Sequence, residues 1–436
     1  MTRRRSRCSR SFLALALLFL TAAPALPAGF SVFAQGAKAS GMGLAFTAVA
    51  DDPSAIFYNP AGLGWQKHFS AQAGGSLLTK TEGEFEGANP FPGTGFGVEE
   101  QQQTSFLLPT VYAVVPLTSN VNFGLGIFAP YGLGFRWENA EQFSGRFIAQ
   151  NAVIRSADIN PVLSLQLAPS FAIAAGVDYR LSKVQLERNR PAINPFTQSV
   201  VDVAHIKLDS EMTDNTGWGW NGGFLWKPVG LVSVGAAYRS AIEIDYEGEG
   251  TFIQRLTGNP AFDAAVAAQL PQGVQDVAVT IEFPASANLG VAFNLPGDFT
   301  LSLDADWTEW SSFDELFIDF ENETIPDLDR VNDWEDAWAY RAGLEKRFGN
   351  FAVRAGYYKD ESPQPIADVG PILADSDRDA YTIGIGYNTE RWGVDLSDIY
   401  IDFDHRDTRG EENTDQFFGV YSEAANLIAL SFRLSF

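Results

Sequence analysis

The chain has almost no cysteine: a single residue, Cys8, in 436. That excludes a disulfide scaffold and two-thiol redox chemistry. Histidine is nearly as scarce, with only His68, His205 and His405. No serine and histidine with an orienting third group stand out, so the chain is not expected to be an enzyme. Positive charge is short as well: 30 Lys and Arg stand against 54 Asp and Glu. Nucleic acid, which is held through its phosphates, is excluded as a partner. A basic patch for anionic lipid is excluded on the same ground. No nucleotide or cofactor motif appears. The stretch "DLDRVNDWED" (327–336) lacks the glycine of a calcium loop and places Val331 at a ligand position, so it reads as solvated loop acids and no metal is expected. Beyond residue 23, no apolar run approaches the ~20 residues that a membrane-spanning helix needs.

What is present begins with a targeting segment. Arg3, Arg4, Arg5, Arg7 and Arg10 precede the apolar run Phe12 to Ala23, which is too short to span a bilayer but suits a signal peptide. Cleavage is expected after Ala25 or near Ala28, so residues 1–28 are set apart from the fold. Cys8 goes with them. The mature chain keeps 25 basic against 54 acidic residues, a formal charge near −29.

The remainder alternates with period two. In "NLIALSFRLSF", Ile428, Leu430, Phe432, Leu434 and Phe436 share one face, and Ala429, Ser431, Arg433 and Ser435 the other. "YTIGIGYN" (381–388), "FAVRAGYY" (351–358), "LSLDADW" (301–307) and "FAIAAGVDYRL" (171–181) repeat the pattern: one apolar face with aromatics near its ends, one small or polar face. Such segments are long enough for the ~9–11 residues of a tilted spanning strand, and the aromatic ends suit interfacial girdles. Candidate strands fall at 68–79, 104–116, 121–136, 152–168, 170–188, 216–227, 230–247, 277–294, 298–320, 336–348, 350–360, 379–389, 391–405 and 424–436. Fourteen is an even number, as bacterial single-chain barrels have. The strand 391–405 changes phase near Asp398, which predicts a bulge. Residues 190–217, 248–275 and 360–378 read as long loops, with a short helix over 259–270 and another over 137–147. The expected fold is all-β: a fourteen-stranded antiparallel transmembrane barrel over 67–436, ending on Phe436, whose strand must pair with the first to leave no open edge.

A fourteen-strand lumen lies between barrels filled by side chains and barrels that hold an aqueous channel. Residues 29–66, "GFSVFAQGAKASGMGLAFTAVADDPSAIFYNPAGLGWQ", are rich in small residues and do not alternate. They read as a small hatch folded inside the barrel. Asn59, Pro60 and Ala61 mark its return to the first strand, because Pro60 has no N–H and steers Asn59 away from helix. In the third strand Phe123, Gly124, Gly126 and Pro130 fall together. Proline cannot donate to a ladder and strand glycines mark bends, so pairing is expected to break over Phe123–Pro130.

Five stretches carry a resemblance: "ADDPSAIFYNPAGL" (50–63), "FGLGIFAPYGLGFRW" (123–137), "INPVLSLQLAPSFAIAAGVDYRLSKVQLER" (159–188), "DWTEWSSFDEL" (306–316), and "RAGYYKDESPQP" with "LADSDRDAYTIGIGY" (354–387). Taken in order, they resemble the FadL/TodX family of outer-membrane transporters for long-chain fatty acids and other hydrophobic compounds. The resemblance implies a hatch bearing the Asn-Pro-Ala motif, a third strand that opens sideways, and passive uptake with lateral release into the membrane. It also implies an inward basic residue near Lys183 that meets the ligand carboxylate through a charge-assisted bond. Some relatives carry a second basic residue where this chain has Phe317, which leaves room for uncharged aromatic or aliphatic hydrocarbons as ligands. A general porin or a structural barrel is the remaining alternative. The expected setting is the bacterial outer membrane, as a monomer among lipid and lipopolysaccharide. Assembly is expected through the barrel-assembly machinery, with the C-terminal strand and Phe436 as its signal. No cofactor is expected.

Overall fold

The computed structural model describes residues 29–88, 96–323 and 325–436; the expected targeting segment (1–28) lies outside them. Twenty-two strand segments form one sheet. Several are halves of one interrupted stave, and joined this way they make fourteen. These are β1 (Ser70–Ala88), β2 (Phe96–Glu100 and Ser105–Pro116), β3 (Val121–Phe128 and Gly132–Arg136), β4 (Asn151–Ala168) and β5 (Phe171–Ile193). There follow β6 (Val200–Ser210 and Thr216–Val229), β7 (Val232–Arg239 and Ile242–Gln254), β8 (Gln275–Phe283 and Ser286–Leu295), β9 (Phe299–Thr308 and Glu315–Phe320) and β10 (Leu328–Val331 and Ala337–Phe348). The last four are β11 (Phe351–Asp360), β12 (Arg378–Asn388), β13 (Trp392–Phe403) and β14 (Gly419–Ser435). Each pairs antiparallel with its neighbours in sequence. The register Ser70↔Ser435 through Gly87↔Gly419 joins β1 to β14 and closes the ring. Closure is what lipid demands, since an open edge would leave backbone groups without partners.

Alternation decides which side chains meet lipid. Ile383 and Ile385 on β12 and Leu430 and Phe432 on β14 are exposed, whereas Thr382, Ala429 and Ser431 between them are buried. Connections at one rim are short, as at Gly349, whose φ of +63° suits glycine. The opposite rim carries the long connections, including the helix Pro260–Ala267, capped by Asn259 Oδ1 on the amides of Ala261 and Phe262. Short turns face the periplasm and long loops the exterior in such barrels.

Three expectations change. β13 has no bulge: its register with β12 runs unbroken from Arg378↔Phe403 to Asn388↔Gly393, and Asp398 stays outward. What changes near Asp398 is the chemistry of the inward face, from Asp395 and Ser397 to Ile399 and Ile401. The loop 190–217 contains Val200–Ser210, a strand that lengthens β6 beyond the membrane. Residues 137–147 form turns rather than a helix.

Residues 29–66 touch the inner side of staves right around the ring. Ser76 Oγ of β1 donates to Ala34 O (2.7 Å), Asn122 Nδ2 of β3 to Leu63 O (2.6 Å), and the Ala37 amide to Ser431 Oγ of β14 (3.0 Å). The Gly43 amide reaches Thr382 Oγ1 of β12 (3.0 Å), and the Thr47 amide reaches Asp304 Oδ2 of β9 (2.8 Å). Glycine is required where backbones meet: a Cβ at Gly343 or Gly356 would collide with Met42 or Gly43.

Candidate functional site

The inward face of β5 shows how the lumen is layered. Ala172, Ala174 and Gly176 come first, small enough to admit the Pro60–Trp65 turn. Asp178 and Arg180 follow, then Ser182, then Val184 and Leu186, and last Arg188.

The charged layer is paired. Arg180 holds Asp158 through two bonds (2.8 and 2.7 Å), Arg239 holds Asp178, and Arg341 holds Asp306. Arg354 bridges Glu345 and Asp395 at 2.7 and 2.8 Å. All lie on inward, buried positions. In the N-terminal segment, Lys38 pairs with Asp51 at 2.7 Å. Burial pushes the neighbouring Asp52 carboxyl above its usual range, and Asp51 adds to that.

Above this layer lies an apolar cavity with about 1020 Å³ of free space, counted out to its open mouth. Its walls include Leu133, Ile154, Val184, Leu186, Leu208 and Ile281, from five different staves. The loop joining β11 to β12 folds in to add Ile372 and Leu373. Its floor is aromatic. Phe30 packs against Trp310 (4.7 Å between ring centroids), Phe313 (5.3 Å), Phe283 (5.8 Å) and Tyr131 (6.0 Å). The apolar lining suits a small hydrophobic ligand. The one cation in the lining, among the described residues, is Arg330, and Asp415 neutralises it through bonds of 2.7 and 2.8 Å.

The sequence-derived candidates are placed as follows. Asn59 caps the turn Pro60–Trp65: its Oδ1 accepts from the Ala61 amide (3.2 Å), and its Nδ2 donates to Thr47 O and to Phe224 O of β6 (both 2.9 Å). Pro60 occupies the first turn, where a missing N–H costs nothing. Ala61 O accepts from Ser164 Oγ of β4 (3.3 Å).

Phe123, Gly124 and Gly126 lie in ladders intact on both sides, with β2 and with β4. The two glycines make room for Leu63 and Ile56 rather than for a bend. The interruption is narrower than expected and centres on Pro130. Pairing of β3 with β2 stops at Val111↔Ile127 and resumes only at Gln101↔Trp137. Between them Ser105–Thr110 and Phe128–Arg136 form no ladder. The β3 backbone turns instead to the N-terminal segment: Val32 N donates to Pro130 O (2.6 Å) and Gly132 N to Phe30 O (2.8 Å). Val32, Leu78, Leu108 and Ala129 pack together behind this opening.

Lys183 sits between the inward residues Ser182 and Val184, so it points outward. It faces Arg155 across the ladder and is neutralised by Asp209 at 2.7 Å, and it is not itself among the cavity's lining residues. Arg188 has the same strand parity as the lining residue Leu186, one inward position further along β5, and is not itself a lining residue. Its guanidinium makes no hydrogen bond or ion pair with a described residue, and its Nε is buried without a partner. Sequence analysis singled out Lys183 rather than Arg188; counting strand phase from Arg180 would have found it. Phe436 closes the ring, its amide donating to Phe69 O (2.9 Å) and its ring stacking on Phe69 at 6.3 Å.

A closed fourteen-stave barrel with a lipid-facing exterior, a packed lower lumen and an apolar chamber above it defines an outer-membrane transport protein. The family of outer membrane protein transport proteins (OMPP1/FadL/TodX) matches residues 18–436, and the chain belongs to it. The long-chain fatty acid transport protein of Escherichia coli O6:H1 is 23% identical over 424 residues, covering 90% of this chain and 91% of the relative. A 47 kDa outer membrane protein of Pasteurella multocida is 23% identical over 454 residues, covering 99% of both. The crystal structure of a Pseudomonas aeruginosa FadL homologue superposes with a TM-score of 0.78 at 22% identity, covering 94% of this chain and 100% of the other. The Pseudomonas putida toluene transporter TodX superposes with a TM-score of 0.69 at 17% identity, covering 88% and 94%. The chain is a protein of the bacterial outer membrane.

Proposed function

We propose that this barrel carries hydrophobic molecules, long-chain fatty acids or similar compounds, passively across the outer membrane, and releases them sideways into lipid between β2 and β3. The observation that carries the reading is the unpaired stretch of wall between Ser105–Thr110 and Phe128–Arg136, lined by the apolar cluster of Val32, Leu108 and Ala129. Each methylene moved from water into the chamber gains about 0.8 kcal/mol. Straight below lie paired charges, and breaking a buried pair costs about 3–5 kcal/mol. The wall opening avoids both that layer and periplasmic water.

Residues 29–66 serve as the hatch in this reading. Phe30 floors the chamber and Val32 lines the opening, so a shift of Phe30–Val32 connects the two. Asn59, Pro60 and Ala61 anchor the far end of the hatch to β4 and β6. The head group of an acidic ligand meets Arg188 at the outer end of the chamber, where a buried guanidinium gives a charge-assisted bond. No energy source is needed, since net flow along a passive apolar path follows the ligand's gradient. The test is uptake of labelled oleate and hexadecane by cells lacking any other hydrophobic uptake barrel. Expression of this chain raises uptake of at least one; no rise in either contradicts the reading.

A further inference from the structure

The wall is interrupted a second time, between β8 and β9. The lower halves pair from Leu295↔Phe299 up to Ser286↔Thr308, and one further bond joins Glu309 N to Ala285 O (2.9 Å). Pairing resumes at Val279↔Ile318. In between, five residues of β8 (280–284) stand opposite eight of β9 (310–317) with no ladder. β8 remains bonded to β7 there, through Ile242↔Phe283 and its successors. The Asn332 amide bonds Asp314 O (2.7 Å) just where β9 rejoins β10. The surplus of β9 is taken up by the turn Trp310–Ser312, which buries Trp310 in the chamber floor.

This interruption has a cavity on each side. The outer one, with about 850 Å³ of free space counted out to solvent, shares two lining residues with the apolar chamber: Val279 and Phe313. Phe313 is half-buried. Its ring lies 5.3 Å from Phe30 and 5.0 Å from Trp334, both chamber residues, while it also lines the outer cavity. One aromatic side chain and one valine therefore separate the chamber from the outside of the barrel. The site lies directly on the loop side of Tyr238, Trp307 and Trp338, aromatics of the outer membrane interface. Its mouth carries Glu243, Glu282, Asp314, Glu315 and Asp319, and no Lys or Arg among its described lining residues. Such a mouth repels anions.

We propose that this is a second portal, with Phe313 as its shutter, through which uncharged hydrophobic molecules move between the outer membrane interface and the chamber. Acidic ligands are turned away here and use the mouth beside Arg188. The portal rests on the reading of the chamber as the ligand site, and the test separates the two. The protein in lipid vesicles, with Glu282→Cys and Asp314→Cys, is treated with a bifunctional maleimide; the chain's own cysteine lies in the targeting segment. Pyrene preloaded in the membrane, and pyrenebutyrate added as its anion, report arrival in the chamber by energy transfer from tryptophan. Closing the bridge slows pyrene by about fivefold or more, leaves its equilibrium binding in place, and leaves the rate for pyrenebutyrate unchanged. Phe313→Ala speeds pyrene and Phe313→Trp slows it, which supplies the same test if the cysteine pair does not fold. An unchanged pyrene rate in fully bridged protein, or in both Phe313 variants, overturns the portal. Absence of equilibrium pyrene binding in the unsubstituted protein overturns the chamber reading itself, and the portal with it.

Discussion

The lower and upper halves of the lumen are built on the same staves and share nothing in chemistry. Below, Val114, Val162 and Leu225 pack against residues 29–66, most other inward positions are small, polar or charged, and the charges are paired across staves or to residues 29–66. Above, the same alternation brings forward Val184, Leu186, Leu208 and Ile281. On β13 the change falls between Ser397 and Ile399, without any break in the ladder. A barrel can therefore alter the solvent it offers at one height while its backbone stays regular. The lower half is stabilised by contacts that a passing ligand would have to part. The upper half offers an apolar ligand only gain. In the proposed reading, this difference is what turns the path sideways.

The largest way to break this contrast is to empty the lower half. Deleting residues 29–61 removes the partners of Asp304, Ser431 and Thr382 and leaves a ring wide enough for water. Single-channel conductance in planar bilayers is expected to rise by about an order of magnitude or more. Unchanged conductance would mean that the staves alone close the lumen.

The second prediction sharpens the upper boundary of the chamber. Arg188→Ala is expected to weaken oleate binding by about 1.5–3 kcal/mol, the scale of a hydrogen bond to a charged group. Binding of oleyl alcohol should hold, and Lys183→Ala should change neither. Calorimetry in detergent distinguishes the cases; an equal loss for the alcohol would assign Arg188 to packing rather than to charge.

The smallest effect concerns Asp52. Its folded-state pKa is raised by burial, with Asp51 adding, so its ionised form costs stability at neutral pH. The cost is lost as pH falls through the raised value toward the ordinary carboxylate value of about 3.9. Burial works against ionised Asp51, but Lys38 outweighs it and holds that carboxyl below the usual range, so the Lys38–Asp51 pair survives the same window. Hydrogen-exchange protection of residues 45–62 should thus increase modestly from pH 7 to pH 4.5, and Asp52→Asn should flatten the profile.

Much of this architecture is legible in the sequence. All fourteen staves could be counted, and the faces of the five with the clearest alternation assigned, because one side of each must be apolar in lipid. The ends were less legible. β1 runs on to Ala88 and β5 to Ile193, past the membrane, where the outer face turns polar and the alternation loses contrast. The same loss hid Val200–Ser210, although Ile206 and Leu208 against His205, Lys207 and Asp209 still carry the period. The phase shift near Asp398 was misread because an inward face that turns apolar looks in sequence like a strand that has slipped. Lys183 illustrates a different limit. Charge type drew attention to it, but position parity decides which way a strand residue points, and Arg188 has the parity that faces the chamber. The interruption at Pro130 was legible from proline itself. The one between β8 and β9 rests on a difference in residue count between two neighbouring staves, which no single segment reveals.

The most direct test of the sideways path is a reversible bridge across the β2–β3 opening. Leu108 and Ala129 share one buried cluster on its two sides. In Leu108→Cys/Ala129→Cys, uptake of labelled oleate should fall steeply when the disulfide forms and recover on reduction. Undiminished uptake with the bridge fully formed would contradict the account and send the ligand down past residues 29–66 instead.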